Sequence, residues 1–208
     1  MGTPGAGKGT QARALAARSK ACHISTGDAL RDAVRNGTPL GREAERSMGQ
    51  GLLVPDDVVI GIVEDRLAAA DCQGGFLLDG FPRTLPQARA LDALLARRKQ
   101  PLDFAILLAV PREEAVRRLA GRRVCDGCGT MYHLAFDPPR DAACCDRCGG
   151  SLAQREDDRE ETIRHRMDVY ARETAPVLDH YRKAGLLREV DGTGSPDEVL
   201  ERLAAKVA

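Results

Sequence analysis

The 208-residue chain has no tryptophan, three tyrosines and four phenylalanines. Proteins that hold single-stranded nucleic acid rely on aromatic platforms and basic grooves. This chain is poor in the first and has no net excess of the second, since 31 Lys and Arg balance 31 Asp and Glu. Zero net charge removes a broad electrostatic pull toward nucleic acid or an anionic membrane, while leaving room for a local basic cleft. Lysine is itself scarce: 26 of the 31 cations are arginine, so a lone arginine says little without a motif around it. No apolar run approaches the roughly 20 residues of a membrane span. No secretory leader is read ahead of the first motif. A cytoplasmic protein with neither nucleic acid nor membrane as partner is expected. In a reducing compartment the seven cysteines are expected as metal ligands or free thiols, not as a disulfide framework. Internal repeats and low-complexity linkers are also lacking, and the length suits one domain with insertions.

What is present begins at the N-terminus. Gly2-Thr3-Pro4-Gly5-Ala6-Gly7-Lys8-Gly9-Thr10 reads as a phosphate-binding loop opening a helix. Small residues let successive backbone N–H groups turn inward on phosphate oxygens, where a Cβ would obstruct. The helix adds its positive N-terminal end. Lys8 adds a point charge for β- and γ-phosphates. The general pattern puts a hydroxyl directly after the lysine; here Gly9 intervenes and Thr10 supplies it. The alternative is a glycine-rich turn capping an alanine-rich helix.

Further along, Cys22-His23-Ile24-Ser25 is a short extended stretch in which Cys22 and His23 have no evident partner and are read as structural. Two polar helical patterns follow, broken at Asn36-Gly37-Thr38-Pro39, a turn signal. Together they read as a small flap with little apolar surface. Pro55-Asp56-Asp57 starts a stronger helix. Gly75-Phe76-Leu77-Leu78-Asp79 is an apolar run ending in an acid. Ligands of open α/β sheets sit at the carboxyl ends of strands. Asp79 there is placed to act through Mg²⁺ and its waters, the alternative being a turn cap. Residues 103–110 and 186–190 read as further strands, with helices between. This alternation argues for a parallel, doubly wound sheet. Residues 159–184 form one long helical pattern that Pro176 is expected to kink or break. Ser195-Pro196-Asp197-Glu198 is a capping box.

Cys125-x₂-Cys128 and Cys145-x₂-Cys148 lie sixteen residues apart. This spacing is that of a structural Cys₄ zinc site. Four thiolates close the tetrahedron and leave no open position. Cys144 would point away, and His133 is the competing ligand. The segment has few aliphatic residues, so the metal is expected to hold it together.

Gly2 to Thr10, Ser25-Thr26-Gly27-Asp28, Asp79-Gly80-Phe81-Pro82-Arg83, Gly121-Arg122-Arg123 and Asp157-Asp158 stand in the order and spacing of the bacterial adenylate kinases, and Cys125 to Cys148 resembles the zinc-bearing form of their lid. The resemblance covers nearly the whole chain. It implies a P-loop NTPase-type doubly wound α/β sheet. The implied parts are a core (1–24, 55–120, 159–208), a helical AMP-binding flap (25–54) and a zinc-binding lid (121–158). It also implies ATP + AMP giving two ADP, with Mg²⁺, in adenine nucleotide homeostasis. ATP contacts are implied at Gly5, Ala6, Gly7, Lys8, Gly9, Thr10, Arg122, Met131, Tyr132 and Gly194. AMP contacts are implied at Thr26, Arg31, Leu52, Leu53, Val54, Gly80, Phe81, Pro82, Arg83, Gln87, Arg155 and Arg166. Gln87 suits adenine because an amide offers a donor and an acceptor to the base edge. Lys8, Arg83, Arg118, Arg122, Arg155 and Arg166 are the implied catalytic cations. Phosphoryl transfer needs charge on equatorial oxygens and in-line positioning rather than a general base. Asp157 and Asp158 are read either as hinge or helix-terminal charges or as functional groups.

The family has an apolar strand directly before the loop, whereas this chain begins at Met1-Gly2. The central strand is therefore expected to be missing, and Met1 to be a misplaced start. Other readings are a different nucleoside monophosphate kinase, with a UMP, CMP or GMP acceptor or a GTP donor, an inactive truncated product, and a zinc-ribbon nucleic-acid binder with an ATP switch. A monomer is expected, since no additional apolar face is visible.

Overall fold

The computed structural model describes residues 1–207. Gly7 takes the left-handed backbone (φ 86°) that turns the N-terminal loop into α1, Lys8–Ser19, a conformation glycine adopts without a Cβ penalty. Strand and helix then alternate through β1 (Cys22–Ser25), α2 (Thr26–Arg35), α3 (Pro39–Gly49), α4 (Asp56–Ala68), β2 (Phe76–Asp79), α5 (Leu85–Arg98), β3 (Ala105–Ala109) and α6 (Arg112–Ala120). The cysteine segment carries β4 (Arg122–Cys125), β5 (Met131–His133) and β6 (Leu152–Ala153). The chain returns through α7 (Glu160–Val169), α8 (Ala175–Lys183), β7 (Leu187–Asp191) and α9 (Pro196–Val207).

Local chemistry explains the boundaries. Ser25 caps α2, Thr38 caps α3 and Thr84 caps α5, each side chain accepting a backbone N–H, which satisfies a donor the helix cannot. α4 buries Val59, Val63 and Leu67, one turn apart on a single face. The break expected at Pro176 is a π-turn, Tyr170–Thr174, placed so that the proline falls in the first turn of α8. There its missing N–H costs nothing. At the last helix Ser195 N–H donates to Glu198 Oε2 (2.8 Å) and Glu198 N–H to Ser195 Oγ (3.4 Å), the reciprocal pattern read from the sequence.

The parallel pairs are β1 with β2 and β3 with β7. Cys22 lies opposite Phe76 and Ser25 opposite Asp79, so the start of α2 stands beside the carboxyl end of β2. The doubly wound sheet is divided between β2 and β3, which are not hydrogen-bonded to each other. A cavity of about 660 Å³ is lined by both, with Phe76, Leu78, Ala105 and Ile106 among its walls. Met1 lies on the inner edge of β3. Its ammonium donates to Ile106 O, and Leu108 N donates to Met1 O at 3.0 Å.

Two expectations need correction. Cys22 and Cys72, fifty residues apart, are joined by a disulfide. Both are buried, because β1 runs beside the segment that leads into β2. The other five cysteines are free. Pro55 takes the N-cap position of α4, with no side-chain cap bond, so that Asp56 is the first helical residue. No described helix is long and apolar enough to cross a membrane.

Candidate active site

At Gly5 the phosphate loop has no room for a side chain. A Cβ on Gly5 would lie 2.2 Å from Ala115 O, and the residue has φ 84°. Ala6 is buried, and Thr10 is exposed on the first turn of α1. Lys8 Nζ donates to Gly2 O at 2.8 Å and to Thr3 O at 2.9 Å. Its pKa falls to about 7, chiefly through burial and then the Arg83 charge, with Asp79 opposing. Without an anion beside it, the loop therefore holds an amine that is only about half charged at pH 7.

Asp79 ends β2, facing the same cavity as Lys8. Burial works to raise its pKa, but nearby His23 together with the Lys8 and Arg83 charges outweighs that and holds the carboxyl below its ordinary value. His23 Nε2 lies 3.8 Å from Asp79 Oδ2. The neighbour that Cys22-His23 lacked in sequence is thus supplied by the parallel register. Thr26 is buried and donates to Gly80 O at 3.2 Å. Arg83 Nε donates to Gly80 O at 2.8 Å. Burial, then Arg166, lower the Arg83 pKa to about 10. Arg31 pairs with Asp28 at 2.6 Å. Leu52, Leu53, Val54, Phe81 and Pro82 line the cavity with them.

The remaining cations converge from the other side. Arg122 grips Asp158 with two nitrogens, at 2.6 and 2.5 Å. Arg166 reaches Asp158 at 3.1 Å and the Asp157 carboxylate at 3.0 Å. Asp158 is fully buried and is a charge partner for Arg122 and Arg166. Arg155 meets only the Met131 sulfur (3.2 Å), and its buried Nε has no partner. Burial, then the Arg122 charge, bring its pKa down to about 9. Arg118 stands beside Gly7, bound to Gly192 O at 2.9 Å and Glu114 at 3.0 Å. Lys8, Arg31, Arg83, Arg122, Arg155 and Arg166 thus outnumber the acids near them, Asp28, Asp79, Asp157 and Asp158. The deficit of negative charge, in a partly dry site, suits a polyanion.

Gln87 lines this cavity, but Gly194 and Tyr132 do not, nor do Arg118, Arg122 and Arg155. Gly194 (φ 94°) follows β7 and packs against Glu198 and Arg202. The Tyr132 hydroxyl is engaged by Cys145 Sγ (3.4 Å) and accepts from Asp146 N (2.9 Å), leaving its backbone for any nucleotide contact. Gln87 is 2 % exposed: its amide nitrogen donates to Asp56 Oδ1 and its oxygen accepts from Arg83 N, both at 2.7 Å. Asp56 did not stand out in the sequence, where it reads as an ordinary helix-opening acid.

Cys125, Cys128, Cys145 and Cys148 bring their sulfurs within 4.8 Å of one another, with Cys125–Cys148 at 3.4 Å and Cys128–Cys145 at 3.6 Å. Tetrahedral zinc with Zn–S bonds of about 2.3 Å places sulfurs roughly 3.8 Å apart, so the donor set fits such an ion. Cys144 lies outside the group, and His133 Nδ1 accepts from Ala135 N and Phe136 N instead.

The family model for adenylate kinase matches residues 1–186. An adenylate kinase of Carboxydothermus hydrogenoformans is 55 % identical over 199 residues, covering 96 % of this chain and 93 % of that protein. Those of Syntrophotalea carbinolica (54 % over 207 residues, 98 % and 96 %) and Archaeoglobus fulgidus (51 % over 205 residues, 99 % and 94 %) are similar across nearly their full lengths. With a phosphate loop, a strand-end acid and a ring of arginines on a parallel sheet, the chain belongs to the adenylate kinase family.

Proposed function

We propose that this chain transfers a phosphoryl group reversibly between ATP and AMP, giving two ADP. The observation that carries this reading is the buried excess of cations around the Lys8 loop, with Lys8, Arg83 and Arg155 all held below their ordinary pKa. Loop N–H groups and Lys8 hold the β- and γ-phosphates of ATP. Arg83, Arg31 and Arg166 hold the AMP phosphate, with the base near Thr26, residues 52–54 and Gln87. Arg118, Arg122 and Arg155 spread charge over the transferring group, which has little need of a general base. Asp79 would hold Mg²⁺ through water, and the ion would supply positive charge against the ATP phosphates.

Residues 25–54 act as the AMP flap and 121–158 as a lid on a core of 1–24, 55–120 and 159–208. Lid closure keeps water from taking the phosphate. Zn²⁺ on the four cysteines would hold the lid together and take no part in the chemistry. The protein acts as a cytoplasmic monomer.

ADP production measured with ATP, Mg²⁺ and each of AMP, UMP, CMP and GMP tests this. AMP is expected to give the highest kcat/KM. A higher value with another monophosphate overturns the substrate assignment.

A further inference from the structure

Glutamine alone cannot tell a 6-amino from a 6-oxo purine. The amide carries two N–H donors and two oxygen lone pairs. Turned one way it matches a donor-then-acceptor edge; turned over it matches acceptor-then-donor equally well. A site that reads adenine with Gln87 therefore needs something to fix which way the amide faces.

The structure holds such a device. Asp56, first residue of α4, reaches across to the start of α5 with both carboxylate oxygens. Oδ1 accepts from Gln87 Nε2 at 2.7 Å and Oδ2 from the Thr84 hydroxyl at 2.8 Å. Thr84 is also the cap of α5, accepting from Gln87 N–H at 3.2 Å. On the opposite side, Gln87 Oε1 accepts from Arg83 N–H at 2.7 Å. A carboxylate only accepts and a backbone N–H only donates, so the two contacts agree on one orientation. Turning the amide over would set its oxygen against the Asp56 carboxylate and its NH₂ against the Arg83 N–H. Each contact uses one N–H or one lone pair, leaving one of each for a ligand in the cavity that Gln87 lines. With the orientation locked, the spare oxygen lone pair takes a 6-amino hydrogen and the spare N–H meets an unprotonated ring N1. A 6-oxo purine offers the reverse order and finds two mismatched groups, a discrimination that buried polar sites make strongly.

We propose that Asp56 is the specificity-determining positioning residue for the acceptor base, selecting 6-aminopurine monophosphates over 6-oxopurine ones by fixing the Gln87 amide. This rests on the reading of Gln87 as the base contact.

The test compares kcat/KM for AMP and IMP, which differ in that base edge alone, in the wild type, Asp56→Asn, Asp56→Ala and Gln87→Ala. In Asp56→Asn the introduced amide can serve Gln87 in either orientation, because the Thr84 hydroxyl both donates and accepts. The AMP/IMP ratio is expected to fall at least tenfold in Asp56→Asn and Asp56→Ala, with KM for ATP unchanged. The Arg83 N–H remains as the second half of the lock, so some preference persists. A ratio as high as wild type in either folded Asp56 variant overturns the proposal. Gln87→Ala separates the two ideas. If it lowers the ratio while the Asp56 variants do not, Gln87 reads the base without Asp56; if it leaves the ratio intact, the base contact itself is misassigned.

Discussion

At the scale of single residues, Lys8 shows how burial is turned to use. Its pKa of about 7 stands against 10.5 for an exposed lysine. The unfolded chain binds this proton more tightly than the folded one. Lys8 therefore weighs against folding in full below pH 7, and stability rises as pH climbs from 7 toward 10.5. Phosphate oxygens in the loop reverse the balance by favouring the ammonium. At pH 8 about nine-tenths of Lys8 is neutral before ATP arrives, so ATP binding should draw in nearly one proton. Calorimetry in buffers of different ionisation enthalpy reads this directly. Uptake near one proton at pH 8 and near zero at pH 6 is expected, and absence of uptake at pH 8 would show that Lys8 is already charged. Lys8→Ala should abolish the uptake and lower kcat by at least about a hundredfold, the scale of a lost transition-state contact.

At the scale of elements, the cysteine segment should be stabilising and chemically idle. Its three short strands enclose little beyond Cys125, Tyr132 and Cys145, so the four thiolates supply what a core would elsewhere. Chelation, or Cys128→Ser, should lower Tm while leaving most phosphoryl transfer intact at moderate temperature. Metal analysis of fresh protein should find close to one equivalent. A variant that keeps its Tm but loses activity would assign the segment a chemical role. The Cys22–Cys72 bond should matter elsewhere, since it ties β1 to the approach to β2. Closing a loop of this length is worth about 4 kcal/mol on the chain-entropy model. Denatured, unreduced, metal-free protein should show five free thiols, and reduction should lower Tm; seven free thiols would mean the bond is not made.

The same elements show what a sequence can disclose. The Ser195–Glu198 box, the Asn36–Pro39 turn and the break near Pro176 are local, set by residues within one turn of each other, and each could be read directly. So could the cysteine pairs and the phosphate loop, whose spacing is their chemistry. Cys22 with Cys72, His23 with Asp79 and Asp56 with Gln87 could not. Their partners stand far apart along the chain, and only the register of β1 on β2 or the packing of α4 on α5 brings them together.

At the scale of the whole molecule, the division of the sheet has an energetic consequence. β2 is only half buried along its length, although it lies between β1 and the cavity. Met1 already occupies one place in a parallel ladder on β3, bonded to Ile106 O and Leu108 N. The alternation of such a ladder turns Ile106 N toward the cavity as the next donor in line. Five aliphatic residues placed before Met1 would continue that ladder and fill the space between β2 and β3. Burying five such side chains contributes about 10 kcal/mol, and ordering them offsets roughly half. The remainder approaches the whole margin of an ordinary domain, about 5–15 kcal/mol. For a protein of this size that corresponds to a Tm higher by roughly 10–20 °C. The extension also converts the Met1 ammonium to an amide. That ammonium has its pKa lowered from 8.0 to about 5, by burial and then by the Lys8 charge. Since the unfolded chain holds this proton more tightly, stability should climb between pH 5 and 8 in the chain that starts at Met1. Below pH 7, where Lys8 adds no slope, the climb should vanish once the amine is gone. A Gly-Ser extension of equal length is the control, because it removes the amine without filling the cavity. Thermal melts of the three chains from pH 5 to 7, below the rise that Lys8 contributes, separate the effects. The apolar extension should gain both the higher Tm and the flat profile, and the control only the flat profile. Equal Tm values for the two extended chains would show that the cavity between β2 and β3 is not a place where a strand can pack.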